Sequence, residues 1–132
     1  MLGAPFRLHG RDPEFGIDCV GLVAVALERI GRKAVVPLRY GMRNSAPGAW
    51  TDFFLASGFE SVGDSLAAGD VIVTRPGPGQ HHLMIVEDPV SAIHAHAGLR
   101  RTVRQPIGSD IIISAHWRLA DVKGNGAFEW QR

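Results

Sequence analysis

The single cysteine of the chain, Cys19, stands where a helix is predicted to begin. Asp18 is a good N-cap residue, and apolar residues at helical spacing predict a helix over residues 18–30 that ends before Gly31. The free N–H groups and the dipole of a helix N-terminus favour negative charge, which lowers the pKa of a thiol and increases its thiolate form. Gly21 lies in the first turn, where a missing side chain would let a substrate backbone approach the sulfur. Cys19 is therefore a candidate nucleophile.

A nucleophilic thiol needs a general base, and that base needs a partner that orients it. His82 begins an apolar, strand-like stretch, and His94 lies in the next such stretch, twelve residues further on. The turn signal Asp88-Pro89 predicts that the two strands are antiparallel neighbours, which brings the two histidines directly or diagonally opposite each other. His81 competes with His82, because a one-residue shift reverses the face of a strand, and His96 competes with His94 on the same face.

The elements that must position these residues change in kind along the chain. Residues 1–17 are rich in glycine and proline and are predicted to form a loop, and a second helix is predicted from Trp50 to Ala56. After Gly69 the pattern predicts strands, over Val71–Thr74, His82–Glu87, Ala92–His96, Thr102–Gln105 and Ile111–Trp117. Helices first and antiparallel strands afterwards predict an α+β domain.

The composition limits the classes of protein to consider. The 132 residues, 45% hydrophobic and 20% charged, predict one globular domain over 1–132, with 124–132 as a loose tail. The net charge of +1 argues against a nucleic-acid partner, because such proteins carry a basic surplus. No apolar run has the length of a membrane helix or a signal peptide, so we expect neither membrane insertion nor export by the general secretory route. One cysteine excludes an internal disulfide framework.

Four blocks of residues, in this order, resemble the NlpC-type cell-wall cysteine peptidases, which are papain-like peptidoglycan endopeptidases. The blocks, within about residues 4–97, are Asp18-Cys19-Val20-Gly21-Leu22, Gly69-Asp70-Val71-Ile72-Val73, His82-Leu83-Met84-Ile85-Val86 and Ile93-His94-Ala95. The resemblance implies a papain-like fold, in which the N-terminal helix that bears the cysteine packs on an antiparallel sheet. It implies a catalytic site with Cys19 as nucleophile, His82 as base and His94 as the orienting residue. It also implies hydrolysis of a γ-D-glutamyl–diaminopimelate bond, or a related bond, in the peptidoglycan stem peptide, without a cofactor.

The same resemblance indicates which residues beside the nucleophile contact the substrate, namely Asp18, Gly21 and Phe6. Phe6 occupies the position at which the family commonly has a tyrosine, whose hydroxyl helps the active site. The phenylalanine therefore removes that hydroxyl from the stabilisation of the oxyanion. Val20 follows the cysteine at a position where small polar residues are frequent in the family.

A narrower resemblance concerns the opening of the chain. Leu2-Gly3-Ala4-Pro5-Phe6-Arg7, followed by the segment 16–23, is similar to small peptidases encoded among phage-tail and gene-transfer-agent genes. This similarity implies a protein that is made in the cytoplasm and carried on the tail tip of a virion or phage-like particle. Its partner would be a tail-hub or tail-fibre protein, with docking segments at residues 32–50 and around Phe128 and Trp130.

Three alternatives stay open. Four histidines and the cysteine have zinc-binding donors, but no carboxylate or second cysteine stands at a standard ligand spacing, so no metal is expected. A catalytically silent structural component of a tail tip is the second alternative, and Phe6 favours it. An acyltransferase or amidase on a related papain-like fold is the third. The permuted lipid acyltransferases of that superfamily place the histidine before the cysteine, whereas here Cys19 precedes His82.

Overall fold

A computed structural model of the chain describes residues 2–34, 47–63, 65–76 and 81–120, and for residues 47–50 only the backbone. The helices are α1 (Cys19–Arg29) and α2 (Pro47–Ala56). The strands are β1 (Arg11–Asp12), β2 (Gly16–Ile17), β3 (Phe59–Ser61), β4 (Val71–Thr74), β5 (His82–Asp88), β6 (Ser91–His96), β7 (Arg101–Pro106) and β8 (Ile113–Leu119). The predicted tail at 124–132, the docking segment with Phe128 and Trp130, and residues 35–46 of the other docking segment lie outside the described residues.

The main sheet has six antiparallel strands in the order β3-β8-β4-β5-β6-β7, and β1 and β2 form a separate two-stranded ribbon. The α+β fold class predicted from the sequence is confirmed. Five of the strands were predicted within two residues of their ends, whereas β1, β2 and β3 were missed because two or three residues are too few to show an alternating pattern. Within the described ranges, no helix has the length and apolar character that crossing a membrane requires.

Helix α1 packs on one face of the sheet. Every residue from Cys19 to Leu27 is buried, and the helix forms the main core with alternate residues of the strands, among them Val73, Leu83, Ile85, Ile93 and Trp117. The opposite face carries a smaller cluster of Ile72, Met84, Val86 and Ala92. Because strand side chains alternate, His82 and His94 lie on the same face as this smaller cluster.

The β5–β6 hairpin turns at Asp88-Pro89, as predicted, and the Val90 N–H donates to Asp88 Oδ1 (2.9 Å). Its register pairs Val86 with Ala92 and Ile85 with Ile93. Continued along the strands, that register sets His94 diagonally from His82, which is one of the two arrangements the sequence predicted.

The N-terminal segment, predicted as a loop, pairs with the edge strand β7. The Gly3 N–H donates to Thr102 O (2.9 Å), and the Thr102 N–H donates to Ala4 O (2.8 Å). Two residues further on, Phe6 pairs in parallel with Ile17. The segment therefore ties β7 to the residue that precedes the cap of α1, and it fixes where the helix begins.

Candidate active site

Asp18 is the N-cap of α1, as the sequence predicted. Its backbone is extended (φ −103°, ψ −169°), and its Oδ1 accepts a hydrogen bond from the Gly21 N–H (2.8 Å). The His9 N–H donates to Oδ2 (2.7 Å), and Arg11 pairs with Oδ1 at 3.3 Å. The residue is fully buried. Both carboxylate oxygens are thus engaged within the chain, so Asp18 holds residues 9–11 on the helix start, and its predicted substrate contact stays a prediction.

Gly21 is explained by backbone packing. A Cβ built on Gly21 would lie 2.1 Å from the carbonyl oxygen of Gly10, a distance that real Cβ contacts do not reach. A Cβ on Gly10 would likewise lie 2.1 Å from the oxygen of Gly16. The space beside the Gly21 Cα is therefore filled by Gly10 of the same chain, which explains the glycine through backbone packing, and the substrate contact at Gly21 stays a prediction.

Cys19 meets the sheet at the gap between β5 and β6. The Val86 N–H donates to Asp70 O (2.7 Å) on the β4 side of β5. Because backbone groups alternate in direction along a strand, the Leu83 N–H points the other way, toward β6. The Cys19 sulfur accepts a hydrogen bond from that N–H. The thiol is therefore fixed at the peptide that follows His82.

Burial determines the protonation of the thiol. Only 6% of Cys19 is exposed, and desolvation raises its pKa from 9.0 to about 12. The N–H groups of Leu83, Val20 and Cys19 itself lower the pKa by less, and the Asp18 carboxylate raises it. The prediction of a lowered thiol pKa at the helix N-terminus is wrong, since the loss of water around the sulfur outweighs the helix N–H groups. Without substrate, the group is a neutral thiol.

His82 and His94 contact each other through their ring nitrogens. His82 Nε2 lies 2.7 Å from His94 Nδ1, and the two rings meet edge to face with their centroids 4.8 Å apart. Both side chains are buried. Desolvation, with smaller contributions from His94 and His96, lowers the pKa of His82 to about 3, and desolvation also lowers the pKa of His94. Both imidazoles are neutral at pH 7.

Gln105 extends this pair to a chain of three side chains, and the sequence analysis did not single it out. Its Oε1 lies 2.7 Å from His94 Nε2. Val103 is paired with His94 across the β6–β7 ladder, so Gln105, two residues along β7, lies on the same face and diagonal to His94. The sequence signal that could have identified Gln105 was a polar residue in the strand that follows His94, at a position diagonal to it.

The competing histidines take other positions. His96 Nδ1 accepts a hydrogen bond from the Leu99 N–H (3.1 Å), and the ring lies 5.3 Å from that of His94. His81 lines the same cavity as His82 and His94. In the described parts of the chain, no group of three or more histidine, cysteine or acidic side chains is arranged to hold a metal ion.

A cavity of about 450 Å³ opens beside the two buried histidines, within the size range of small-ligand sites. Its wall includes His82, His94 and Gln105 from the sheet. Arg75 and Asp110 add one charge of each sign. Phe6 is half-buried. Its parallel bridge with Ile17 places Phe6 near the start of α1.

Neither a protein-family model nor a curated protein matches this sequence. Solved structures do match. NlpC2 from Trichomonas vaginalis is 19% identical with a TM-score of 0.65, over 89% of this chain and 42% of that one. An NlpC/P60 family protein from Bacillus cereus is 21% identical with a TM-score of 0.60, over 89% of this chain and 35% of that one. The NlpC/p60 domain of the peptidoglycan hydrolase SagA is 22% identical with a TM-score of 0.58, over 87% and 86%.

These similarities define the fold. The chain has the papain-like α+β fold of NlpC/P60 domains, with Cys19 in the N-terminal helix, and the fold implied by the four sequence blocks is confirmed. The chain spans less than half of the length of the first two structures, and nearly all of the SagA domain.

Proposed function

We propose that this domain is a cysteine peptidase that hydrolyses a peptide bond in peptidoglycan stem peptides. The observation that carries the proposal is the position of the Cys19 sulfur at the Leu83 N–H, one residue along β5 from the hydrogen-bonded His82–His94 pair. The sulfur is held by the Leu83 N–H, adjacent in the chain to His82, and His82 is bonded through Nε2 to His94. We propose that Cys19 is the nucleophile, that His82 is the base and that His94 orients it, and their neighbouring positions on α1, β5 and β6 support these roles. The likeness to the NlpC/p60 domain of a peptidoglycan hydrolase supports the choice of substrate.

The neutral resting pair defines the order of the proton transfers. As the Cys19 sulfur attacks the scissile carbonyl carbon, the S–H proton passes to His82, a C–S bond forms and the carbonyl oxygen becomes an oxyanion. We propose that the Cys19 backbone N–H holds part of that negative charge. His82 then gives the proton to the leaving nitrogen as the C–N bond breaks, which leaves a thioester. His82 then takes a proton from water, whose oxygen attacks the thioester carbonyl carbon. The C–S bond breaks, the carboxylic acid product leaves, and His82 returns the proton to the sulfur.

The cavity supports a charged peptide substrate. Arg75 and Asp110 place one positive and one negative side chain on its wall, and Met84, Ile111 and Ile112 supply apolar surface. A stem peptide that contains glutamate and diaminopimelate carries negatively charged carboxylates and a positively charged amine, which match the two charges of the cavity wall. The bond we propose is the γ-D-glutamyl–diaminopimelate bond or a related one.

The experiment is mass spectrometry of muropeptides after incubation of purified peptidoglycan with the protein. The wild type is expected to release stem-peptide fragments, and Cys19→Ser to release none while unfolding at the same temperature. His82→Gln should also abolish release, whereas His81→Gln, which changes the cavity wall but not the proposed base, should still release fragments, which separates two adjacent histidines. Release by Cys19→Ser at most of the wild-type rate would refute the nucleophile.

A second candidate is a catalytically silent domain of the same fold. The burial of Cys19 and the rise of its pKa favour it, and so does phenylalanine at position 6. Burial slows alkylation of the thiol in either case, so product formation is the discriminating measurement. The silent domain predicts no fragments from any peptidoglycan that is tested.

We also propose that a phage-like tail tip carries the domain and that a tail-hub or tail-fibre protein binds it. The support is the similarity of the opening and of the segment around Cys19 to peptidases encoded among tail genes. Mass spectrometry of purified particles is the test. Detection in the tail-tip fraction is expected, and recovery exclusively outside the particles would refute the carriage without affecting the peptidase proposal.

A further inference from the structure

Gln105 ends the hydrogen-bonded chain of side chains that includes His82. His82 Nε2 and His94 Nδ1 are 2.7 Å apart, and His94 Nε2 and Gln105 Oε1 are also 2.7 Å apart. Both histidines are buried, and neither is charged at pH 7. Each ring therefore carries one proton, and each of the two short contacts contains one hydrogen.

The amide determines where those protons lie. A carboxamide oxygen only accepts hydrogen bonds, so His94 Nε2 must carry the proton of its ring. His94 Nδ1 is then an acceptor, so the proton of the second ring must be on His82 Nε2. His82 Nδ1 is left with a lone pair, and it is the ring nitrogen that does not face His94.

We propose that Gln105 is a positioning residue that fixes the tautomers of His94 and His82 and so leaves His82 Nδ1 as the proton acceptor. The effect on turnover rests on the proposed peptidase function, whereas the tautomer assignment rests on the contacts alone. Gln105 would act through His94, which it touches, and not on the substrate or the thiol. A neutral amide also avoids placing a carboxylate charge against two buried imidazoles, which would favour their protonation.

The β-sheet explains how one residue of β7 reaches this role. Gln105 is diagonal to His94 in the β6–β7 ladder, and His94 is diagonal to His82 across the β5–β6 hairpin. The three side chains therefore cross three adjacent strands on one face of the sheet. A side chain of this length and with an acceptor at its end is required for the last contact.

The test compares Gln105→Met, which keeps the length of the side chain but removes the acceptor, with Thr102→Val. Thr102 lies on the same strand, and its buried hydroxyl has no hydrogen-bond partner in the described structure. Gln105→Ala also removes the acceptor, but it does not introduce a long apolar side chain that could itself pack against His94. Imidazole nitrogen NMR reports the tautomers, and kcat and KM are measured on a stem-peptide substrate.

The wild type and Thr102→Val are expected to carry the proton on Nε2 of both histidines. Gln105→Met should populate the Nδ1–H form of both rings, and kcat should fall by about 3- to 10-fold, the range expected for one lost hydrogen bond, with KM unchanged. A wild-type proton on His82 Nδ1 would overturn the proposal, as would unchanged tautomers in Gln105→Met. Tautomers that shift as expected in a protein without turnover would support the positioning role and refute the peptidase proposal.

Discussion

Substitution of Gly21 by alanine tests how tightly the N-terminal segment holds the helix that bears Cys19. Helix propensity alone predicts a gain, because alanine is about 1 kcal/mol more favourable than glycine inside a helix. The structure predicts the opposite. The new Cβ would lie 2.1 Å from Gly10 O, and contacts under 3.0 Å are essentially never seen, so the two backbones must separate by about 0.9 Å.

The displaced residues make bonds that would be lost with the movement. The Gly10 N–H donates to Arg7 O (2.8 Å), and Arg11 pairs with the capping Asp18. Overpacking costs about 1–3 kcal/mol and a lost hydrogen bond about 1 kcal/mol, against about 1 kcal/mol gained in propensity. We expect Gly21→Ala to lower the free energy of unfolding by about 2 kcal/mol, equivalent to a fall in Tm of roughly 6–10 °C.

Urea and thermal unfolding measure this effect, with Gly63→Ala as the matched control. A Cβ on Gly63 meets no atom within 4 Å, and its φ is not in the left-handed region. The control should be neutral or more stable by about 0.4–1 kcal/mol, through loss of unfolded-state entropy. If Gly21→Ala were as stable as Gly63→Ala, the argument that Gly10 excludes a side chain at position 21 would be refuted.

Two further predictions concern protonation. The pKa of Cys19, about 12, predicts that iodoacetamide alkylates Cys19 about a thousandfold more slowly than an ordinary thiol at pH 8. The alkylation rate should rise about tenfold per pH unit up to pH 10. A plateau of the rate near pH 9 would contradict the raised pKa. Burial raises the pKa of Asp70, but hydrogen bonds from Arg118 and His116 outweigh it and hold the pKa below its ordinary 3.8. Folded Asp70 binds fewer protons than unfolded Asp70, so its contribution to stability is present above pH 3.8 and is lost as pH falls through the lower folded value. Asp70→Asn should cost about 2–3 kcal/mol at pH 7, and urea unfolding from pH 7 to pH 2.5 should show a smaller loss on acidification than in the wild type.

The parts of the site that depend on local pattern were predictable from the sequence. The cap at Asp18 follows from one side chain and the helix after it. Strand parity allows only one of His81 and His82 to face His94, because adjacent residues face opposite sides, and the resemblance selected His82. Two strand-like stretches and a turn signal between them are enough to predict the hairpin, whereas the choice of the diagonal over the direct arrangement depends on the register.

The parts that depend on pairing between distant segments were not predictable. The contacts of residues 3–6 with β7 join segments about 100 residues apart through backbone atoms, which leave no trace in side-chain pattern. The role of Gly21 depends on where Gly10 comes to rest. Gln105 shows its role only when β7 is known to lie beside β6, since a lone polar residue in a strand is otherwise an exposed one.

Burial of the Cys19 thiol also depends on contact between segments that are distant in the sequence. This burial determines which substitution of Cys19 is informative. In a regular hairpin the Leu83 N–H would bond to a carbonyl of β6, but the described β5–β6 pairs end at Ile85 and Ile93. The cysteine sulfur takes that N–H instead. Removal of the acceptor would leave a buried amide unpaired, at a cost of about 1–3 kcal/mol. Alanine at position 19 would therefore mix a loss of stability with a loss of chemistry. Serine keeps an acceptor for the Leu83 N–H and removes only the thiol, so its effect on turnover can be assigned to the sulfur.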